Sequence, residues 1–292
     1  MKILFCGDVV GKSGREALAR YLPVVREQYG VGPVIVNGEN AAHGFGLTPK
    51  IYQSFLRMGV HAVTLGNHSF DKADINEALD AEPTLIRPMN YPENTIGKGY
   101  CVFEQSGVKI GVVQVMGRVF MRPVDDPFQT MDTFFKTHMQ GRDYDVLVVD
   151  FHAEATAEKV AMGHFLDGRA TLVVGTHTHI PTADMRVLPG GTGFQTDVGM
   201  CGDYQSVIGM TVASVMPRFV GAGGRLQPAE GTGTFCGVIA DIDEQTGHCR
   251  TMTQVILGAN LHNTPIGGRT QRGSPTTAGP AATETAATAA ER

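Results

Sequence analysis

The sequence predicts an α/β fold in which two packed mixed β-sheets are flanked by helices. In the first third of the chain, short apolar runs alternate with segments of helical periodicity, which indicates parallel strands covered by helices. Residues 100–105 and 109–115 flank a Ser-Gly turn and indicate an antiparallel pair. Residues 234–241 and 249–256 flank a turn around Gly247 in the same way. The chain therefore combines parallel and antiparallel strands. We predict one domain in which two packed mixed sheets lie between outer helices, an α/β/β/α sandwich.

The first predicted elements are a strand over residues 3–6 and a helix that begins near Ser13. Ser13 and Glu16 have the spacing of a capping box, and apolar residues then recur at helical intervals. Pro23 falls inside this segment and is expected to kink the helix.

Two further helices are predicted in the first third of the chain. Thr48 followed by Pro49 indicates the start of the second helix, and Gly59 indicates its end. Residues 71–80 predict the third helix.

Composition limits the classes of function that are open to this chain. With 292 residues, of which 42% are hydrophobic, the chain can form one large α/β domain or two small ones. Its net charge of -5 disfavours a protein that tracks the phosphates of a nucleic acid. No stretch reaches the roughly 18 apolar residues of a membrane span, and the N-terminus leads straight into the first strand, so no signal peptide is predicted.

The cysteines are odd in number and form no C-x-x-C pair, which favours reduced thiols and a cytoplasmic location. The five cysteines are Cys6, Cys101, Cys201, Cys236 and Cys249.

The composition changes near residue 264. Residues 264–292 are rich in Thr, Ala, Gly and Pro and contain almost no large apolar side chains, so they cannot offset the entropy cost of becoming ordered. We therefore predict a folded domain over residues 1–263 and a mostly disordered tail over residues 264–292. An arm that docks on a partner subunit is the less favoured alternative, and composition leaves a homo-oligomer open.

Residue types that commonly bind metals stand at the ends of five apolar runs. Ligands of open α/β sheets bind outside the carboxyl ends of the strands, so runs that deliver Asp, Glu, Asn and His to that edge predict one shared site. Oxygen and imidazole ligands suit divalent first-row metals. The residues concerned are Asp8, Glu39, Asn40, Asn67, His68, His152, His177 and His179.

Each of these residues alone also has a plain structural explanation. A single His152 after an apolar strand would more often be a structural histidine, and Asn40 after a strand is commonly a turn residue. The joint occurrence of the whole set in this order favours a shared metal site.

The order of these segments resembles the calcineurin-like metallophosphoesterase superfamily, whose pattern is D-x-H, G-D-x-x-D, G-N-H-D or G-N-H-E, a lone His, and G-H-x-H. Here the segments are G-D-V-V-G, N-G-E-N, G-N-H-S-F-D, D-F-H-A-E-A-T and G-T-H-T-H. Val10 stands in place of the first His, and Glu39 in place of the bridging Asp. With G-D-V-V-G-K-S-G-R, N-G-E-N-A-A and Q-T-D-V-G-M, these departures resemble the bacterial YmdB-like branch, whose members are phosphodiesterases acting on 2′,3′-cyclic nucleotides.

The resemblance implies that residues 1–263 form a metallophosphoesterase domain that binds two divalent metal ions. A carboxylate can give one oxygen to each of two cations, so Glu39 is the predicted bridge. Iron is favoured, with manganese or zinc as alternatives. Asp8, Asn40 and His179 are expected to complete the ligands of one metal, and Asn67, His152 and His177 those of the other.

His68 is not an expected ligand, because adjacent residues cannot easily both point at one metal and Asn67 already does so. The resemblance implies that His68 binds a phosphate oxygen and protonates the leaving group, and an imidazolium near pH 7 can do both. Asp71 either orients His68 or caps the following helix, and the capping role is slightly favoured.

Other polar residues near these motifs are candidates for substrate contacts. His43 lies in a glycine-containing loop after Asn40, and Arg118 and Arg122 follow a predicted strand. Solvent-exposed positions without a substrate contact are the favoured predictions for all three.

The predicted activity is phosphodiester hydrolysis, in which a hydroxide held between two metals attacks phosphorus and His68 protonates the departing ribose oxygen. The expected partner is a small phosphoester, with 2′,3′-cyclic nucleotides favoured, and neither a membrane nor an extended nucleic-acid groove is expected. Two alternatives stay open. A phosphomonoesterase or 5′-nucleotidase would share the same metal core, whereas a metal-loaded regulatory nucleotide-binding protein would not need an acid at His68.

Overall fold

Two six-stranded mixed sheets lie face to face and carry helices on their outer faces, which confirms the predicted α/β/β/α arrangement. The computed structural model describes residues 1–258, 260 and 261. The predicted tail, residues 264–292, therefore lies outside the described residues. The strands are β1 (Lys2–Cys6), β2 (Asp8–Val9), β3 (Val34–Asn37), β4 (Ala62–Thr64), β5 (Leu85–Ile86), β6 (Tyr100–Gln105), β7 (Val108–Met116), β8 (Val146–His152), β9 (Leu172–Thr176), β10 (Arg186–Val187), β11 (Gly193–Gln195), β12 (Met200–Cys201), β13 (Phe235–Ile242) and β14 (Cys249–Leu257). The helices are α1 (Gly11–Tyr29), α2 (Pro49–Arg57), α3 (Ile75–Ala81), α4 (Pro127–Thr137), α5 (Thr156–Phe165) and α6 (Val212–Phe219).

Both sheets combine parallel and antiparallel strands. The first has the order β14-β13-β1-β3-β4-β5, in which β1, β3, β4 and β5 are parallel and the β13–β14 hairpin is antiparallel to β1. The second has the order β10-β11-β9-β8-β7-β6, with parallel strands from β11 to β7 and antiparallel strands at both edges. A short parallel pair, β2 with β12, completes the structure. The two predicted hairpins, β6–β7 and β13–β14, are confirmed.

The core between the sheets follows from the period of two along each strand. In β1, Ile3 and Phe5 point into the layer between the sheets, whereas Leu4 and Cys6 point toward the helices of the first sheet. Strand β8 alternates in the same way between the inner layer and the layer under α4 and α5. Each strand with two buried faces is therefore a nearly continuous apolar run, as the sequence shows.

Helix α1 begins earlier than predicted, so the capping box at Ser13 and Glu16 is wrong. The helix starts at Gly11, which has a φ of 58°, and Ser13 lies inside its first turn. The Ser13 hydroxyl donates a hydrogen bond of 2.8 Å to the carbonyl of Gly231, a contact distant in sequence. The helix extends past Pro23 to Tyr29.

Helix α2 has the predicted ends, whereas α3 is shorter than predicted. Thr48 Oγ1 accepts a hydrogen bond from the backbone of Ile51, Pro49 is the first helical residue, and the chain leaves the helix at Gly59 with a φ of 81°. Helix α3 starts at Ile75 rather than near residue 71.

All five cysteines are buried and unpaired, in keeping with the predicted reduced thiols. Over the range that the structure describes, none of the helices is both long and apolar enough to cross a membrane.

Candidate metal centre

The eight residues that the sequence singles out meet at one edge of the molecule. The carboxyl ends of β1, β3 and β4 in the first sheet lie there beside those of β8 and β9 in the second. Contacts link the whole set: Asp8 to His177 and, at 3.8 Å, to His179, Glu39 to His68 and His152, His152 to Asn67, and Asn40 to Glu39 and His179.

Glu39 lies at the centre of this cluster and is fully buried. Its Oε1 is 3.1 Å from Nε2 of His152 and accepts a hydrogen bond of 3.2 Å from Nδ2 of Asn40. Its Oε2 accepts a hydrogen bond of 3.1 Å from the backbone amide of His68. Burial by itself would raise the pKa of Glu39, but the surrounding imidazoles, chiefly His152, hold it well below its usual range. Glu39 is therefore a carboxylate that faces several candidate ligand atoms at once.

Gly66 leaves the space into which these ligand atoms point. A Cβ added at Gly66 would collide with Oε2 of Glu39 and with Nε2 of His152. Ligand atoms of Glu39, His152 and His177 all lie within 4.8 Å of one another. The chain therefore forms a small cradle lined by oxygen and imidazole nitrogen, the donor set of a divalent first-row metal.

A hydrogen-bond chain sets the orientation of His152. Thr176 donates its hydroxyl proton to Oδ1 of Asp150 at 2.7 Å, so its oxygen can accept from Nδ1 of His152 at 2.9 Å. This network places a proton on Nδ1, which faces Thr176. The other ring nitrogen, Nε2, then faces Asn67 Oδ1 at 2.8 Å and Glu39. Because Nε2 faces two oxygen acceptors, this position favours a positive charge, either a proton on the ring or a metal cation. Burial lowers the pKa of His152, yet the Glu39 carboxylate outweighs it and raises the pKa to about 9, which reflects the same demand.

Asp150 is a supporting residue that the sequence analysis missed. It is fully buried, and burial raises its pKa. Its Oδ2 accepts hydrogen bonds from Thr64 at 2.6 Å and from the side-chain amides of Asn37 and Gln114, both at 3.0 Å. The signal was a charged residue within the apolar run V-L-V-V-D-F-H, two positions before His152. Asp150 joins the two sheets beneath the site.

Asp8 carries an oxygen without a partner. Its Oδ2 accepts a hydrogen bond of 3.2 Å from the backbone of His177, but its buried Oδ1 has no hydrogen-bond partner among the described residues and is 3.8 Å from Nε2 of His179. Burial raises the pKa of Asp8 to about 7. Buried polar atoms are nearly always paired, so an orphaned carboxylate oxygen fits a cation ligand.

His177 and His179 follow β9 and direct their side chains to different neighbours. Both have positive φ, 90° and 67°, an uncommon conformation for residues other than glycine. His179 directs Nδ1 at the carbonyl of Ile208, 2.8 Å away, which leaves Nε2 for the site. Burial and the nearby His152 lower the pKa of His177 to about 3, which favours the neutral imidazole that metals bind. Nε2 of His177 also lies 3.1 Å from Oε2 of Glu154, a contact that the sequence analysis did not anticipate.

A buried ion pair holds the residue between these two histidines. Nζ of Lys159 lies 2.7 Å from Oδ2 of Asp197. The same oxygen accepts hydrogen bonds from the hydroxyl of Thr178 at 2.6 Å and from its backbone amide at 3.2 Å. In the sequence, Asp197 stands out only as part of the segment Q-T-D-V-G-M, which belongs to the family resemblance.

Asn40 is buried at the site but presents its amide nitrogen. Nδ2 lies 3.1 Å from Nε2 of His179 and donates to Glu39. Coordination through Oδ1 requires the amide to turn by half a rotation, and the role of Asn40 as a ligand stays a prediction.

His68 stands beside the cluster of candidate ligands and is fixed by Asp71. Nδ1 of His68 is 2.7 Å from Oδ2 of Asp71, so Asp71 orients the imidazole and the favoured capping role is wrong. The residue before α3 is Asp74, whose side chain makes no capping bond. The ring of Phe45 meets that of His68 edge-on, with centroids 5.1 Å apart.

His43, Arg118 and Arg122 are all exposed, as favoured from the sequence. The guanidinium of Arg118 pairs with Asp126 at 3.2 Å. His43 nevertheless lines a cavity beside His68.

Comparison with known proteins places this chain in a family. The model of the YmdB-like protein family matches residues 4–255. A 2′,3′-cyclic-nucleotide 2′-phosphodiesterase of Bacillus subtilis is 45% identical over 258 residues, which cover 88% of this chain and 97% of the relative. A crystal structure of a hypothetical protein from Thermus thermophilus is similar with a TM-score of 0.83 and 41% identity, over 88% of this chain and 99% of that one. A novel phosphatase from Mycoplasma pneumoniae has a TM-score of 0.83 and 34% identity, over 88% and 93% of the two chains.

Proposed function

Because the chain belongs to the YmdB-like family of metallophosphoesterases, we propose that it hydrolyses phosphodiester bonds of 2′,3′-cyclic nucleotides with two divalent metal ions. Its relatives include a phosphodiesterase and a phosphatase, so the chain is an enzyme that hydrolyses phosphoric esters. The 45% identity to the Bacillus subtilis enzyme over nearly the whole of both chains supports cyclic nucleotides as the substrate class.

The observation that carries the proposal is the position of Glu39. Its two oxygens face different neighbours, with Oε1 toward His152 and Asn40 and Oε2 toward the backbone of His68. A carboxylate in this position can serve two cations that lie about 3.5–4 Å apart. The orphaned Oδ1 of Asp8 and Nε2 of His152, which faces Glu39 and Asn67, fit the same donor set.

We assign the residues to two metals as the family resemblance implies. Two bound divalent ions would supply Lewis acidity toward the phosphoryl oxygens and an activated water. Iron is the favoured metal because the branch resemblance implies it, and the ligands also suit manganese or zinc. Asp8, Asn40 and His179 would hold one metal, Asn67, His152 and His177 would hold the other, and Glu39 would contact both.

His68 moves the proton in the proposed reaction. Its Nδ1 is held by Asp71, which leaves Nε2 for the substrate. Nε2 donates its proton to the ribose oxygen as the bond from that oxygen to phosphorus breaks. The Asp71 carboxylate keeps the imidazole in the required orientation while the charge on the ring changes.

Metal analysis of the purified protein together with a panel of substrates tests the proposal. We expect close to two equivalents of a divalent first-row metal per chain, and faster turnover of 2′,3′-cyclic nucleotides than of nucleoside monophosphates. Bis-p-nitrophenyl phosphate serves as a phosphodiester without a nucleoside. A protein that hydrolysed monophosphates and left both phosphodiesters intact would contradict the proposal.

A further inference from the structure

A cavity of about 800 Å³ opens beside His68, between the loop after Asn40 and the segment that follows α6. Pockets of about 300–1,000 Å³ enclose drug-sized ligands, so this cavity is near the upper end of that range. Its lining comes from regions far apart in sequence. The lining residues that matter here are Phe45, His68, Lys72, Arg218, Arg225 and Leu226.

The cavity carries an excess of positive charge. Within residues 1–258, 260 and 261, neither Lys72 nor Arg218 nor Arg225 forms an ion pair. The acidic residue of the lining, Asp71, is held by His68 at 2.7 Å. The protein as a whole has a net charge of -5, so three unpaired cations in one concave surface indicate an anionic ligand.

Apolar side chains lie on the same surface. The ring of Phe45 stands edge-on to His68, and Leu226 and Pro228 also line the cavity. Aromatic and apolar walls beside cations are the combination that holds bases and backbone phosphates of single-stranded nucleic acids.

We propose that this cavity is a subsite for a short oligonucleotide that ends in a 2′,3′-cyclic phosphate, a deepening that rests on the proposed function. If His68 protonates the departing ribose oxygen, the terminal ribose and its base lie on the His68 side of the phosphorus, which is the side of the cavity. A terminal nucleoside itself is uncharged. The unpaired cations Lys72, Arg218 and Arg225 therefore face the next phosphodiester group along the strand, on the 5′ side of that nucleoside.

The size of the cavity limits how much of the strand it can hold. A volume of this order has room for a terminal nucleotide and its immediate neighbour but not for a long strand. The net negative charge outside the cavity disfavours longer contacts with a nucleic acid. The preferred substrate is therefore the end of a short oligonucleotide rather than a free mononucleotide.

Binding of two reaction products to the metal-loaded full-length protein tests the subsite without requiring turnover. The probes are a dinucleotide with a 3′-phosphate and the matching nucleoside 3′-monophosphate, titrated by calorimetry. We expect the dinucleotide to bind at least roughly tenfold more tightly, and its affinity to fall more steeply with salt. The double variant Arg218→Ala/Arg225→Ala should bind the two probes with similar affinity. Both arginines are exposed, and the melting temperature and metal content of the variant report whether it is folded.

Arg57→Ala is the matched control, because Arg57 is exposed, lies at the end of α2 and is not part of the cavity. It should keep the preference for the dinucleotide. Equal affinity of the wild-type protein for both probes, or an unchanged preference in the double variant, would overturn the subsite. The proposed function is tested separately, because it depends on turnover of cyclic nucleotides and bis-p-nitrophenyl phosphate rather than on this ratio of affinities.

Discussion

The ammonium group of Lys159 and the carboxylate of Asp197 lie 2.7 Å apart, with side chains only 1% and 0% exposed. Asp197 also accepts two hydrogen bonds from Thr178, the residue between His177 and His179. Both histidines have positive φ, so they need contacts that compensate for an unfavourable backbone conformation. The buried pair supplies such contacts and thereby sets the directions of two proposed ligands.

Lys159→Met should destabilise the protein by about 3–5 kcal/mol, because it leaves the Asp197 charge buried without a partner. Chemical denaturation measures this loss of unfolding free energy. The metal content at a fixed metal concentration should fall as well, since the loop that carries His177 and His179 loses its support.

Asp132→Asn is the control: Asp132 pairs with Arg169 at 2.8 Å, but the two side chains are 49% and 35% exposed. That change should cost about 0–1 kcal/mol and leave the metal content unchanged. Equal losses in the two variants would contradict a special role for the buried pair.

Glu39→Gln should remove most of the metal from one or both sites, and the activity with it. Gln has nearly the same shape, but it lacks the negative charge that holds two cations together and offers one oxygen instead of two. Metal content per chain after gel filtration is the measurement. Glu27→Gln, at an exposed position on α1 without an ion pair in the described structure, should keep both metals. A Glu39→Gln protein with two metals and normal turnover would show that Glu39 is not the bridge.

A chain that ends at residue 263 should keep the melting temperature and the catalytic rate of the full chain. This expectation follows from composition, because residues 264–292 offer almost no apolar surface to bury. Differential scanning calorimetry and cyclic-nucleotide turnover check it. A drop of several degrees in melting temperature would show that the tail docks on the domain or on another subunit.

The positions of the site residues were largely predictable because strand direction decides them. Asp8, Glu39 and Asn67 follow parallel strands of one sheet, and His152 and His177 end or follow parallel strands of the other. The carboxyl ends of parallel strands share an edge, so a polar residue after each apolar run is sufficient to bring them together.

The contacts that could not be predicted from the sequence involve partners that are distant along the chain. Ser13 has the spacing of a cap, yet its hydroxyl bonds to Gly231, so tertiary contact outweighed the local pattern. Asp150 gains its role from Thr64 and Thr176, which no local spacing reveals. From the sequence, Asp71 could either cap the following helix or orient His68. The distance between its carboxylate and His68 in the structure decides for the second role.

Asp71→Asn should slow catalysis without removing metal. The amide can still accept a hydrogen bond from Nδ1 of His68, which is 2.7 Å from Asp71 Oδ2, but it lacks the charge that stabilises an imidazolium. We expect kcat to fall roughly 10–10²-fold, the range seen when a partner that orients a functional histidine is lost. Asp74→Asn is the control, since Asp74 is exposed and its side chain makes no capping bond. Loss of metal in Asp71→Asn, or an equal loss of rate in Asp74→Asn, would contradict the assignment.

His68→Ala should retain both metals while kcat falls by roughly 10²–10⁴, the usual range for the loss of a positioned proton donor. The loss should depend on the leaving group. A nitrophenolate needs little protonation, so hydrolysis of bis-p-nitrophenyl phosphate should suffer less than that of a cyclic nucleotide, whose departing alkoxide is far more basic.

His152→Ala should behave differently, because Nε2 of His152 lies among the proposed ligand atoms, 2.8 Å from Asn67 Oδ1 and 3.1 Å from Glu39 Oε1. It should lose metal and fail on both substrates alike. Metal analysis combined with rates on the two substrates separates the roles. If His68→Ala emptied a metal site, His68 would be a ligand. If it slowed both substrates equally with metals in place, His68 would bind the phosphate in the ground state rather than donate a proton.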